Sequence, residues 1–181
     1  MLRLVSILAF LIFCVACTTS KIYIVRHAEK SKEPADNPHL TDLGKARAED
    51  LASMLQGKHI SQIYSTQVNR TIETAKPLSN KITVPVKYYS NDSLLQLLVR
   101  VVQSEKNTLI VGHSNTILKM LDALEVSHTH VSNIPDNKYD YMFILRIREK
   151  NPVGYSYRLK ETTYGKASPE PGDSSSTKSM K

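Results

Sequence analysis

Apolar positions along the chain alternate between two kinds of pattern. Ile22-Tyr23-Ile24-Val25 and Thr108-Leu109-Ile110-Val111 are short unbroken runs rich in β-branched residues, as in strands buried on both faces. Between them, apolar residues recur at helical spacing. Thr41 reads as the N-cap of a helix through Gln56, with Leu43, Leu51, Met54 and Leu55 along one side and Gly57 just beyond. A short strand at Gln62–Tyr64 leads into a helix from Val68 to Leu78, and Val84–Tyr89 is extended. Ser93 is placed to cap a helix whose apolar side carries Leu94, Leu97, Leu98, Val101 and Val102. After Thr108–Val111, Gly112 makes a turn into a helix over Asn115–Leu124. Tyr141–Ile147 and Tyr155–Leu159 read as a closing antiparallel pair. Strands alternating with helices predict a three-layer, doubly wound α/β domain over residues 21–165, its mostly parallel sheet covered by helices on both faces.

The ends of the chain fall outside this pattern. Residues 166–181 carry Ser, Lys and Pro without apolar periodicity and read as an unstructured tail. Residues 1–16 hold Arg3 followed by an apolar run, Leu4–Ala16, shorter than the ~20 residues a membrane-spanning helix needs and suited to a secretory signal. Cys14-Val15-Ala16-Cys17 resembles a bacterial lipoprotein signal, with Cys14 where that pattern usually has Leu. An uncleaved anchor and an ordinary signal cut near Ala16 are the alternatives. The lipoprotein reading implies a lipidated Cys17 on an envelope membrane. Thr18, in place of Asp, points to the outer membrane.

Composition narrows the chemistry. The only two cysteines are Cys14 and Cys17, which excludes a disulfide framework, a cysteine zinc site or a cysteine nucleophile in the domain. A formal charge of +7 favours anionic partners. Lysines of the tail have no interleaved aromatic residues beyond Tyr164, so no nucleic-acid partner is expected. His128 and His130 have the alternation of a zinc pair but no third ligand at convincing spacing, so a solvated loop and no metal are expected there. Asp136 and Asp140, near Tyr139, read as turn and strand-start residues.

Three polar clusters share one structural address. Arg26-His27 follows the first strand, Ser65–Arg70 lies between the second strand and its helix, and His113 follows the strand at 108–111. Loops at the carboxyl ends of parallel strands converge on one edge of the sheet. Two imidazoles and two guanidiniums are thus expected in one pocket. An imidazole is a competent nucleophile near neutrality, and arginine forks match phosphate oxygens. Phosphoryl transfer needs little beyond in-line attack and charge neutralisation.

These same residues carry a family resemblance. Ile24-Val25-Arg26-His27-Ala28-Glu29-Lys30, Ser65-Thr66 with Arg70-Thr71 and Thr74-Ala75, and Val111-Gly112-His113-Ser114-Asn115-Thr116 resemble, in order, the histidine phosphatase (phosphoglycerate-mutase-like) superfamily. The nearest likeness is to small single-domain, phosphohistidine-phosphatase-like members. Ala28 replaces a frequent Gly. The resemblance implies His27 as the phosphorylated nucleophile, Arg26, Arg70 and His113 as phosphate ligands, and no cofactor. For the general acid, Asp92 is the first candidate, with Glu73 and Glu29 competing. The expected activity is metal-independent hydrolysis of phosphate monoesters or phosphoramidates on a small molecule or glycan. The alternative is a non-catalytic envelope lipoprotein that binds phosphate-bearing ligands.

Overall fold

The computed structural model describes residues 19–126, 131–150 and 154–169. Strand β1 (Thr19–Arg26) is followed by helix α1 (Asp42–Leu55), β2 (Gln62–Thr66), α2 (Asn69–Ile82) and β3 (Val86–Tyr89). A single 3-10 turn (Asn91–Ser93) then leads into α3 (Leu94–Gln103), β4 (Thr108–Gly112), α4 (Ser114–Ala123), β5 (Tyr141–Lys150) and β6 (Gly154–Thr163). The sheet order is β3-β2-β4-β1-β5-β6. The pairs β3/β2, β2/β4 and β4/β1 are parallel, while β1/β5 and β5/β6 are antiparallel. This is the expected three-layer arrangement, since successive residues of a strand face opposite ways. Ile22, Ile24 and Ile110 pack with α3 and α4, while Tyr23, Val25, Leu109 and Val111 pack with α1 and α2.

Element ends depart from the pattern for identifiable reasons. Strand β1 begins at Thr19, before its apolar run, because Thr19, Ser20 and Lys21 pair with Arg148, Ile147 and Arg146 of β5. Helix α2 continues through Pro77 to Ile82, where Leu78 and the partly buried Ile82 extend its core-facing side. Thr83, at φ 56°, ends it in the left-handed region. Ser93 makes no side-chain cap for α3. Its hydroxyl donates to Ser90 O (3.0 Å) and accepts from Ser90 N (3.2 Å), closing the 3-10 turn instead.

Ser168, within the segment read as tail, is buried; its N–H donates to Asp140 Oδ2 (3.0 Å) and its Oγ accepts from Tyr139 N (2.9 Å). The leader with Cys14 and Cys17, the His128–His130 pair and residues 170–181 lie outside the described residues.

Candidate active site

The two central strands end side by side. Arg26 of β1 is in register with Gly112 of β4, and His27 N–H donates to Gly112 O (2.9 Å). His27 and His113, the residues directly after each strand, are thereby brought together, with ring centroids 5.5 Å apart and planes at 63°. Gly112 allows the approach. A Cβ there would stand 2.8 Å from both Thr116 Oγ1 and the Tyr89 hydroxyl. Thr116 in turn holds His113 at the N-cap of α4, accepting from its N–H (2.9 Å) and donating to its carbonyl (3.0 Å).

Hydrogen bonds fix both rings. His27 Nδ1 lies 2.8 Å from Ala28 O, which can only accept, so Nδ1 carries the hydrogen and Nε2 the lone pair. Thr71 Oγ1 is 2.9 Å from Thr66 O and 3.0 Å from Val68 O, so its single hydrogen goes to carbonyl oxygen. Thr66 Oγ1, 2.9 Å from Thr71 Oγ1, then donates to it, and accepts from His113 Nε2–H at 3.0 Å. Burial pushes the His27 ring down to about 3, the Ala28 carbonyl opposing and the charges of Arg26, His113 and Arg70 adding to the fall. Burial likewise takes His113 to about 4, aided by Arg70 and Arg26. Both rings are therefore neutral at pH 7.

Arg26 is buried, its guanidinium carbon 4.6 Å from the centroid of the Tyr139 ring, which also lies 5.9 Å from the His27 ring. Its Nη1 donates to the carbonyls of Pro135 (2.7 Å), Asp136 (3.1 Å) and Lys138 (3.2 Å). Its Nε is buried without a partner, the kind of orphan donor that an oxyanion would satisfy. Arg70 opens α2, and burial followed by the nearby Arg26 charge lowers its pKa. Like charges held this close mark a place built for an anion. Thr74 ties the two elements together, accepting from Ala28 N–H (2.9 Å) and donating to Arg70 O (2.7 Å). Beside the histidines, a cleft of about 530 Å³ is lined by Thr66, Arg70, His113 and the wall Tyr88–Asn91 with Ser93.

Of the predicted residues, His27, Arg26, Arg70 and His113 come together; the candidate acids do not join them. Asp92 is exposed on the 3-10 turn and does not line the cleft, although Asn91 and Ser93 on either side do. Glu73 accepts from Leu40 N–H (2.8 Å) and bonds His39 Nδ1. Glu29 is held by Arg47, whose Nε lies 3.0 and 2.9 Å from its two oxygens and whose Nη2 lies 2.7 Å from one. Among the described residues no three His, Cys, Asp or Glu side chains converge as a metal site would require.

Sequence reasoning gave no role to Tyr139 or Arg47, and placed Thr66 in a motif without seeing its bond to His113. Arg47 carried a signal: it interrupts the otherwise apolar face Gly44, Ala48, Leu51, Ala52, Leu55 of α1. Tyr139 carried none, since its contact with Arg26 spans 113 positions of chain.

Residues 22–91 match the family described as the histidine phosphatase superfamily (branch 1). No curated protein sequence matches the chain significantly. The fold is shared with a mycobacterial glucosyl-3-phosphoglycerate phosphatase at TM-score 0.63 and 12% identity, covering 78% of this chain and 97% of that one. It is also shared with a tungstate complex of the protein histidine phosphatase SixA, at TM-score 0.58 and 12% identity, covering 79% and 96%. An Agrobacterium tumefaciens protein named as a phosphohistidine phosphatase SixA gives TM-score 0.55 and 18% identity, covering 79% and 97%.

Proposed function

We propose, from the match of residues 22–91 to the histidine phosphatase superfamily and from the site geometry, that the chain is a metal-independent phosphatase of that type working through phospho-His27. The observation that carries the reading is the His27 ring itself. It is buried and neutral, with Nδ1–H held by the Ala28 carbonyl so that Nε2 keeps its lone pair. Nucleophilic use agrees with that environment.

In the proposed cycle, His27 Nε2 attacks phosphorus as the bond to the leaving group breaks in line. Arg26 and Arg70 neutralise the equatorial oxygens, and the His113 Nε2–H, on leaving Thr66 Oγ1, donates a hydrogen bond to one of them. Water then attacks the phosphohistidine, the N–P bond breaks, and phosphate leaves with His27 neutral again. Residues 71–112 are occupied by α2, β3, α3 and β4, so no cap is inserted in that stretch, which favours water as acceptor.

Among the described residues no carboxylate lines the cleft beside Arg70 and His113, and the one carboxylate at Arg26, that of Asp136 with Oδ1 3.5 Å from Nη2, is solvent-exposed. A substrate whose leaving group departs without a donated proton suits such a site. We assign phosphoramidates and aryl phosphates as preferred over alkyl phosphates, on a phosphorylated small molecule or glycan of the cell envelope.

Incubation with an aryl phosphate is expected to trap acid-labile, base-stable phosphate on the parent protein. His27→Ala is expected to trap none and to lose turnover by on the order of 10³-fold or more. Parent-like turnover by His27→Ala overturns the nucleophile assignment. Equal turnover of alkyl and aryl phosphates overturns the leaving-group assignment.

A further inference from the structure

At the opposite end of β1 from His27, the β5–β6 hairpin and the C-terminal end of α1 enclose a groove of about 400 Å³. Five cations line it, Lys21, Lys58, Arg146, Arg158 and Lys160, and no carboxylate does. The ladder register stacks three of them in one row across three strands, Lys21 opposite Arg146 and Arg146 opposite Arg158. Like charges directly opposite each other destabilise a sheet, so the row costs stability that a bound anion would restore. Lys58, Arg146, Arg158 and Lys160 are exposed. Between them lies apolar surface, with Met54 41% exposed and Ile144 half-buried.

Exposed heads spread along a sheet face match a continuous layer of anions better than one small ion, which would need a buried fork. Bases of a nucleic acid would find no stacking surface, because Tyr23, the aromatic ring of the groove, is 3% exposed. The sequence adds an independent pointer. Cys17, the residue lipidated in the lipoprotein reading, stands two positions before Thr19, where β1 begins, and Lys21 lies at that end of the strand. One lipid chain beside a basic patch is the two-signal pattern of stable membrane attachment.

We propose that this groove docks on an acidic phospholipid surface, with lipid phosphates against Lys21, Arg146, Arg158 and Lys160. His27 lies six residues beyond Lys21 along β1, roughly 20 Å, so the docked domain presents its phosphatase edge to water. The proposal rests on the groove and stands whether or not His27 is the nucleophile.

Cosedimentation of the full chain with phosphatidylglycerol-containing and pure phosphatidylcholine vesicles tests it. Both vesicles report the apolar run, and only the difference reports the groove. The parent is expected to favour the acidic vesicles and to lose that preference in about 0.5 M NaCl, where the Debye length is only a few ångströms. Arg146→Gln/Arg158→Gln/Lys160→Gln is expected to lose about a hundredfold of the preference. The control Lys45→Gln/Lys87→Gln/Lys119→Gln, with the same change in net charge, is expected to keep it. Equal binding of parent to both vesicles overturns the proposal, as does salt-insensitive preference or an equal loss in the two triple variants. Polyglutamate that strips the parent from acidic vesicles at lower charge concentration than the lipid reassigns the groove to an acidic polypeptide and also overturns it.

Discussion

Removing the Glu29 charge should unseat more than a surface ion pair would. Arg47 is 2% exposed and Glu29 13%, and three contacts of 2.7 to 3.0 Å join them. Arg47 Nη1 also donates to Tyr164 O at 3.0 Å, linking α1 to the end of β6. Burial disfavours the Arg47 charge, and the Glu29 hydrogen bonds and charge outweigh it, so the guanidinium pKa is raised. Glu29→Gln keeps shape but leaves that guanidinium without a counter-charge. The expected cost is about 3–5 kcal/mol, a large part of the ~5–15 kcal/mol that holds a domain together. Glu29→Gln/Arg47→Met removes both charges, and should recover most of the loss because an uncompensated charge, rather than a missing attraction, causes it. Urea unfolding of parent, both single variants and the double gives the coupling directly, provided the slope is constant across the four.

The ion pair also bears on the chemistry. Glu29 follows Ala28, whose carbonyl orients His27, and Glu29 O accepts from Thr41 N–H (2.9 Å). Displacing this segment is expected to lower kcat on the order of ten- to a hundredfold with little change in KM. A Glu29→Gln protein within 1 kcal/mol of the parent, or a double variant as unstable as the two singles combined, would refute this reasoning.

Acid should weaken the fold through the two buried rings of the candidate site. The histidines titrate at about 3 and about 4 when folded and near 6.5 when unfolded. The unfolded chain therefore takes protons first as pH falls. Stability from the neutral rings is complete above about 6.5 and is lost progressively toward 4 and then 3. Unfolding midpoints between pH 4 and 8 should fall more steeply for the parent than for His27→Asn/His113→Asn, and parallel profiles would count against the burial assignment. Gly44→Ala should cost about 1–3 kcal/mol, since a Cβ there would stand 2.2 Å from Glu29 O. Gly57→Ala, with open space around it, is the near-neutral control, and equal melting of the two would contradict the packing described.

Much of this molecule is readable from hydrophobic spacing, because the central strands are apolar on both faces and α3 carries its stripe Leu94, Leu97, Leu98, Val101, Val102 without interruption. Strand ends were less legible. Thr19–Lys21 join β1 through ladder hydrogen bonds, which leave no mark on hydropathy. That the four candidates His27, Arg26, Arg70 and His113 would share one edge was legible because each adjoins a strand end that parallel topology carries there. Their orientation was not. The acceptors of Arg26 Nη1 are main-chain carbonyls more than a hundred positions away, and every residue type offers one. Asp92 illustrates the converse. A carboxylate at a plausible distance along the chain sits on a turn whose geometry is set by Ser90 and Ser93, and it is exposed.

That grip on the 135–138 segment has an evolutionary meaning. Arg26 Nη1 fastens the loop by peptide oxygens at Pro135, Asp136 and Lys138, so this part of the fastening survives changes of the side chains there, whereas the 3.5 Å contact of Nη2 with Asp136 Oδ1 does not. Mutations in the stretch are free to explore new shapes around the pocket mouth while its anchorage stays constant. Descendants of such a protein can change diet without rebuilding the hearth.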